Sequence, residues 1–325
     1  MPGFTTHYIL GMKAYNDLPN NQLKYIIAKY RWLYQLGLQG PDIFFYNIPI
    51  LRHRDYRNVG SYMHEHKVNA FFECCLRRIG TIRSRQQQEE AISYLAGFMN
   101  HYIADSICHP YVYGRIGYPV DAPTSMHHGM HAHLENELDA ILLWKYKKKK
   151  PSEFNQTATI CLNGQEIQFI SHFLASCINE TYYPITYRNN FQVTPAMVHR
   201  SIWALRFGCR TLSDKNGKKK FGIAQVESIF VNHPVASAKM VTDSVTDYRS
   251  SCNLNHEAWG NPWDPTRVST ASFVDLFHET LDKCSRVYAL LNSAVTDNMP
   301  LDKQDLSPLL AELGNESYHS GLPVE

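Results

Sequence analysis

The chain has 325 residues, of which 44% are hydrophobic and 12% aromatic, so it can bury a substantial core. Its 32 basic and 30 acidic residues leave a formal charge of +2, which excludes a global electrostatic pull toward nucleic acid or an anionic membrane. No apolar run approaches the roughly 18 residues that span a bilayer, and the eight cysteines, none in a Cys-x-x-Cys pair, exclude a disulfide framework or zinc ribbon and read as free thiols.

The opening MPGFTTHYILG has no charged stretch followed by an apolar one, so no leader is read and the expected location is cytoplasmic. From Asn21 to Leu38 the apolar residues Leu23, Ile26, Ile27, Tyr30, Leu33 and Tyr34 fall at three- and four-residue steps, which predicts an amphipathic helix closed by Gly37, Gly40 and Pro41. A second helix is expected over 61–79, ending at Gly80. A third, over 87–109, is apolar on most sides and therefore central, and Pro110 should stop it. A Gly/Pro-rich loop over 114–124 leads to a fourth helix over 129–147. The lysine-rich end of that helix, Lys145 to Lys150, reads as a solvated C-terminus, where cations are favoured.

Around Asn163-Gly164 the alternation in TATICL and QEIQF predicts one small β-hairpin near 157–169, with helix entry as the other reading. Helix is expected over 194–212, a polar loop over 213–220, either helix or extended chain over 224–250, and a clear amphipathic helix over 270–294. NHEAWGNPWDP, residues 255–265, reads as a rigid loop capping the core in preference to a lid over a site. The expected architecture is an all-α, multi-helix bundle, with residues 1–305 as one domain and 306–325 as a weakly ordered tail.

Histidine is the outlier: ten of the 16 copies fall within residues 1–133. His101, Asp105 and His109 are spaced by four, so a helix carries all three on one face. Two imidazoles and a carboxylate on a central helix are expensive to bury unless paired or bound to a metal. HHGMHAHLENELD offers two more pairs, His131 with Glu135 and His133 with Glu137. The first lies closer to the face set by Leu134, Leu138, Ile141 and Leu142, so His131 and Glu135 are the expected ligands. His7, Asp42 after Gly-Pro, and His64, with His66 as its competitor, complete the candidates. Eight nitrogen and oxygen donors without cysteine suit two or three zinc ions, and the spacing fits iron or manganese carboxylate clusters less well. Phosphodiester hydrolase, zinc nuclease or nucleotidase, and non-catalytic metal-binding protein all remain open on these residues.

In order and spacing, PGFTTHYILG, GPDIFFY, GSYMHEH, YLAGFMNHYIADSICHPYVY and HAHLENELD resemble the zinc-dependent phospholipase C family, relatives of the single-strand-specific zinc nucleases. The resemblance runs over residues 3–145 and implies a buried zinc cluster. It assigns one zinc to Asp42, His64, His101 and Asp105, a second to His109, His131 and Glu135, and a third to His7 and the other oxygen of Asp105. In the family an N-terminal tryptophan completes the third site, whereas this chain begins Met1-Pro2. The activity implied is phospholipase C-like: a metal-activated water attacks phosphorus, with Asp42 orienting or deprotonating it. Tyr102, Tyr111, Tyr113 and Arg115 are the expected substrate contacts. A monomer acting on a phospholipid or another phosphodiester, with no stable nucleic-acid partner, is expected.

Overall fold

The computed structural model describes residues 3–46, 59–183, 192–211 and 247–325, together with 214, 218–219, 221–223, 225, 242–243 and 245. In chain order these form α1 (Phe4–Asp17), α2 (Gln22–Lys29), α3 (Arg31–Gly37), a 3-10 turn (Gly40–Tyr46), α4 (Val59–Glu65), α5 (Val68–Thr81), α6 (Arg85–Arg115) and α7 (Ser125–Lys147). Then follow α8 (Gly164–Thr181), α9 (Pro195–Thr211), the single turn α10 (Tyr248–Ser251), β1 (Trp259–Asn261), β2 (Asp264–Ser269), α11 (Phe273–Thr296) and α12 (Ser307–Leu313). The class is all-α, with one antiparallel two-stranded ribbon, β1–β2, among the described residues.

The bundle is built around α6. Its 31 residues extend about 46 Å at 1.5 Å per residue, and buried positions run almost without a break from Glu89 to Tyr113. A helix buried on almost every side needs neighbours on almost every side, and α1, α3, the β1 strand and α11 are among those that supply them. The crossing with α3 is the tightest. A Cβ on Gly97 would lie 2.1 Å from the Tyr34 carbonyl oxygen, and one on Gly37 would lie 2.1 Å from that of Tyr94. Only glycine lets two backbones approach so closely.

Several boundaries differ from the sequence reading. The predicted helix from Asn21 to Leu38 breaks at Tyr30, whose φ of −115° and ψ of 42° are not helical and whose carbonyl accepts from Ser93 Oγ. The helix expected over 61–79 breaks at Lys67, which takes the left-handed conformation. Pro110 does not stop the central helix, which runs on to Arg115. The loss of one N–H donor is tolerated there because other chain packs around this helix end.

The hairpin expected near 157–169 is not formed. Residues Gln156–Thr159 make a 3-10 turn, and Asn163-Gly164 starts α8. Asn163 Oδ1 accepts from the Glu166 N–H while Glu166 reaches back to the Asn163 N–H, a capping box that uses the same Asn-Gly pair in another way. The two-stranded ribbon lies instead in NHEAWGNPWDP and beyond. Trp259 is buried edge-on against Tyr111 and donates to the Ala271 carbonyl, so this segment caps the core as expected. The polar loop 213–220 and the ambiguous stretch 224–250 fall largely outside the described residues.

Residues 306–325 are not a loose tail. After α12, Ser317, Tyr318 and Ser320 are buried, and the Lys67 N–H donates to the Glu325 carbonyl. Tyr318 explains the change: a fully buried aromatic ring anchors a stretch that lacks helical periodicity. All eight cysteines are free thiols, and no helix among the described residues is long and apolar enough to cross a membrane.

Candidate metal centre

His101, Asp105 and His109 project from one face of α6, and all three are fully buried. The neighbouring elements converge on that face. The Gly97–Gly37 contact sets α3 against α6, so the Leu38 carbonyl accepts from His101 Nδ1 at 3.1 Å and the 3-10 turn delivers Asp42 just beyond. On α4, His64 Nδ1 is 2.6 Å from the Gly60 carbonyl one turn back. On α1, His7 is buried with its ring stacked on His101 at 4.0 Å. The N-terminus of α1 is held by Asp139 of α7, whose carboxylate accepts from the N–H groups of Thr5 and Thr6 and from Thr6 Oγ1 at 2.7–3.0 Å.

These contacts fix the tautomers. A carbonyl is only an acceptor, so the Nδ1 atoms of His64 and His101, and that of His109 against the Tyr318 carbonyl, carry a proton and Nε2 is the nitrogen each ring can offer to a cation. Those nitrogens face carboxylates. His64 Nε2 lies 3.3 Å from Asp42 Oδ1 and 3.7 Å from Asp105 Oδ2, and His101 Nε2 lies 3.1 Å from Asp105 Oδ2. His7 Nε2 lies 3.1 Å from the other oxygen, Asp105 Oδ1. None of these Nε2 atoms, nor Asp42 Oδ1, nor either Asp105 oxygen, has a hydrogen-bond partner. Bare lone pairs turned toward buried anions repel unless something positive lies between them, and a divalent cation satisfies both sides.

One ligand atom from each of Asp42, His64, His101 and Asp105 can be chosen so that all lie within 4.8 Å of one another, and the same holds for His109, His131 and Glu135. In the second group His131 Nε2 is 2.7 Å and His109 Nε2 is 3.7 Å from Glu135 Oε1. The ring orientation of His109 is set by a 2.6 Å hydrogen bond to the Tyr318 carbonyl. These donor sets, nitrogen and oxygen only, fit zinc.

The electrostatics agree. Burial pushes the Asp105 carboxyl up, but the His101, His109 and His7 imidazoles outweigh it and hold its pKa well below the carboxylate range. Burial depresses His101, yet Asp105 and Asp42 raise it overall. His109 is pushed down to about 3, chiefly by burial, and burial also carries His7 and His131 below their ordinary value.

All eight candidate ligands thus converge. Of the competitors, His66 packs against Tyr62, and His133 is half exposed beside Glu137, whose other oxygen accepts from Ser251 Oγ. The expected substrate contacts divide. Tyr113 lies against His131 with ring centroids 4.5 Å apart. Tyr102 turns away, donating to Glu316, and Tyr111 is buried and donates to the Ser251 carbonyl. Both are taken up by the core because helical spacing aims them at the flanks of α6, not at the ligand face. Arg115 forms an ion pair with Glu257 at 3.0 Å.

His319 is the residue the sequence does not flag. It stands alone in a segment without helical pattern, stacks on His64 at 5.0 Å, and is 3.2 Å from the Tyr113 hydroxyl through Nδ1. Trp263, at the ribbon turn, meets Tyr113 edge-on at 4.9 Å and stacks on Tyr118.

A profile of the family described as zinc dependent phospholipase C matches residues 6–186. That is more than half of the chain, and it spans every candidate ligand. No curated protein and no solved structure matches. The chain belongs to the zinc-dependent phospholipase C family.

Proposed function

We propose that this member of the zinc-dependent phospholipase C family hydrolyses phosphodiesters at the paired donor groups, with phospholipids as the substrate class. The observation that carries the reading is the convergence of seven buried or half-buried donors into two groups, with Asp105 between them. Zinc held there would supply positive charge to phosphate oxygens and acidify water from about 15.7 toward 7. His7, 3.1 Å from the second oxygen of Asp105, could hold a third ion with it.

Asp42, at the edge of the first group, orients the attacking water and accepts its proton. The oxygen of that water forms a new bond to phosphorus as the opposite P–O ester bond breaks, and the departing alkoxide recovers the proton from Asp42. The products are an alcohol and a phosphomonoester. Tyr113 keeps its phenolic proton, because burial and then Glu135 push its pKa far up, so it can donate to a phosphate oxygen.

The zinc-loaded protein is expected to release diacylglycerol from phosphatidylcholine vesicles and nitrophenol from a nitrophenyl diester. A chelator should abolish both activities, and Asp42→Asn should cost about 10²- to 10⁴-fold in kcat. No turnover of either diester by protein carrying two zinc ions would sink the reading. The Tyr113–Trp263–Tyr118 aromatic group favours a second reading, since bases stack on such surfaces. Cleavage of single-stranded DNA without lipid turnover would choose it.

A further inference from the structure

The C-terminal strap from Ser317 to Gly321 lies well past the residues that match the family profile, yet it touches both donor groups. The Tyr318 N–H donates to the His64 carbonyl at 2.9 Å, and the Tyr318 carbonyl accepts from His109 Nδ1 at 2.6 Å. The next ring, His319, stacks on His64 with its plane tilted by 13° and lies 5.6 Å from His109. A backbone carbonyl on Nδ1 decides which nitrogen of His109 carries the proton, and so which one is offered to a cation.

Further contacts shape and hold the strap. Ser317 Oγ accepts from the N–H groups of His319 and Ser320, closing a tight turn. Asn261 of β1 donates to the Ser320 carbonyl at 2.8 Å, the link between the ribbon and the strap. Gly321 has a φ of +60°, and a Cβ there would sit 2.5 Å from the Ser106 carbonyl oxygen on α6. That carbonyl lies one turn before Pro110, which has no N–H to give it, so the strap can press against α6 at this point.

We propose that the strap is a positioning element for the second donor group: it sets the tautomer and angle of His109, and without it His109, His131 and Glu135 cannot hold zinc tightly. The inference rests on the reading of that group as a zinc site and is independent of whether the protein turns over a diester.

The test is zinc binding to the full-length chain, read by competition with a chromophoric chelator, for the wild type, Gly321→Ala, Ser317→Ala and Asn261→Ala. The wild type should bind at least two ions. Gly321→Ala and at least one of the other two variants should weaken one class of ion by about 10- to 100-fold and leave the other unchanged. His109→Ala should weaken the same class. If Gly321→Ala fails to fold, Ser317→Ala and Asn261→Ala carry the test alone. Variants that keep both ions at wild-type affinity overturn the positioning role, as does equal weakening of all ions, which would mean general loosening. A wild type that binds no zinc sinks the underlying reading of the site.

Discussion

At the residue scale, Asp105 holds the site together. It splits its two oxygens, Oδ2 toward His101 and His64 and Oδ1 toward His7 and His109. Asp105→Asn keeps the shape but removes the shared charge and puts an N–H₂ donor in place of one of the two oxygens proposed to bind zinc. Zinc affinity should fall by at least about 10- to 100-fold, as metal analysis after dialysis would show; unchanged content would exclude Asp105 as a ligand. The His-x3-Asp-x3-His spacing was legible because a helix turns any four-residue repeat into one face. Tyr102 and Tyr111 are expected as substrate contacts from nearness in sequence to the ligands, which says little about direction: their rotation around α6 sends them to Glu316 and Ser251. His319 had no legible signal at all, because nothing periodic connects it with the residues it meets.

At the element scale, the placement of helices sets the site. Gly97→Ala would drive a methyl into the Tyr34 carbonyl and push α3 from α6, and with it Leu38 and Asp42. Overpacking of this kind costs about 1–3 kcal/mol or more, so the urea midpoint and the zinc content should fall together. Helix α1, which brings His7, is anchored by Asp139. Burial raises that carboxyl to about 6, with the Thr6 and Thr5 hydrogen bonds pulling the other way. The sign follows from linkage: a folded value above the unfolded ~3.9 means the fold binds the proton more tightly. Stability from this group is therefore present at low pH and lost as pH rises from about 4 to 6. Comparing wild type with Asp139→Asn, urea unfolding should show the difference shifting against the wild type by about 2–3 kcal/mol across that window. No shift would place the Asp139 titration elsewhere. The helices were readable from apolar periodicity, but their breaks at Tyr30 and Lys67 were not, since neither position carries a glycine or proline to signal it. Asn163-Gly164 misled because one dipeptide serves both a hairpin turn and a helix start, and Glu166 three residues on was the deciding cue.

At the scale of the whole molecule, the proposed metal centre predicts that zinc and fold are linked. Zinc that binds only the folded chain stabilises it in proportion to ligand concentration, by roughly 2.7 kcal/mol at 100 times Kd, so adding a chelator should lower Tm by several degrees. A Tm indifferent to chelation would mean that the donor groups are stable without a cation. The thiols give an independent check on the packing. In denaturant eight should react without prior reduction, whereas in the native protein exposed Cys161 should react first, since the others are buried or partly buried. The all-α class was legible from composition and periodicity together. The return of the C-terminal segment across the ligand face was not, because its order comes from Tyr318 and Gly321 meeting α6 more than a hundred residues away, and from Ser320 meeting Asn261 on the separate ribbon.

The most direct measurement is anomalous diffraction at the zinc absorption edge from crystals of the zinc-loaded protein. It should give one peak about 2.0–2.2 Å from donor atoms of Asp42, His64, His101 and Asp105, and another at the same distance from His109, His131 and Glu135. Zinc peaks confined to other residues, or no peak at either group, would contradict the metal centre on which the function rests.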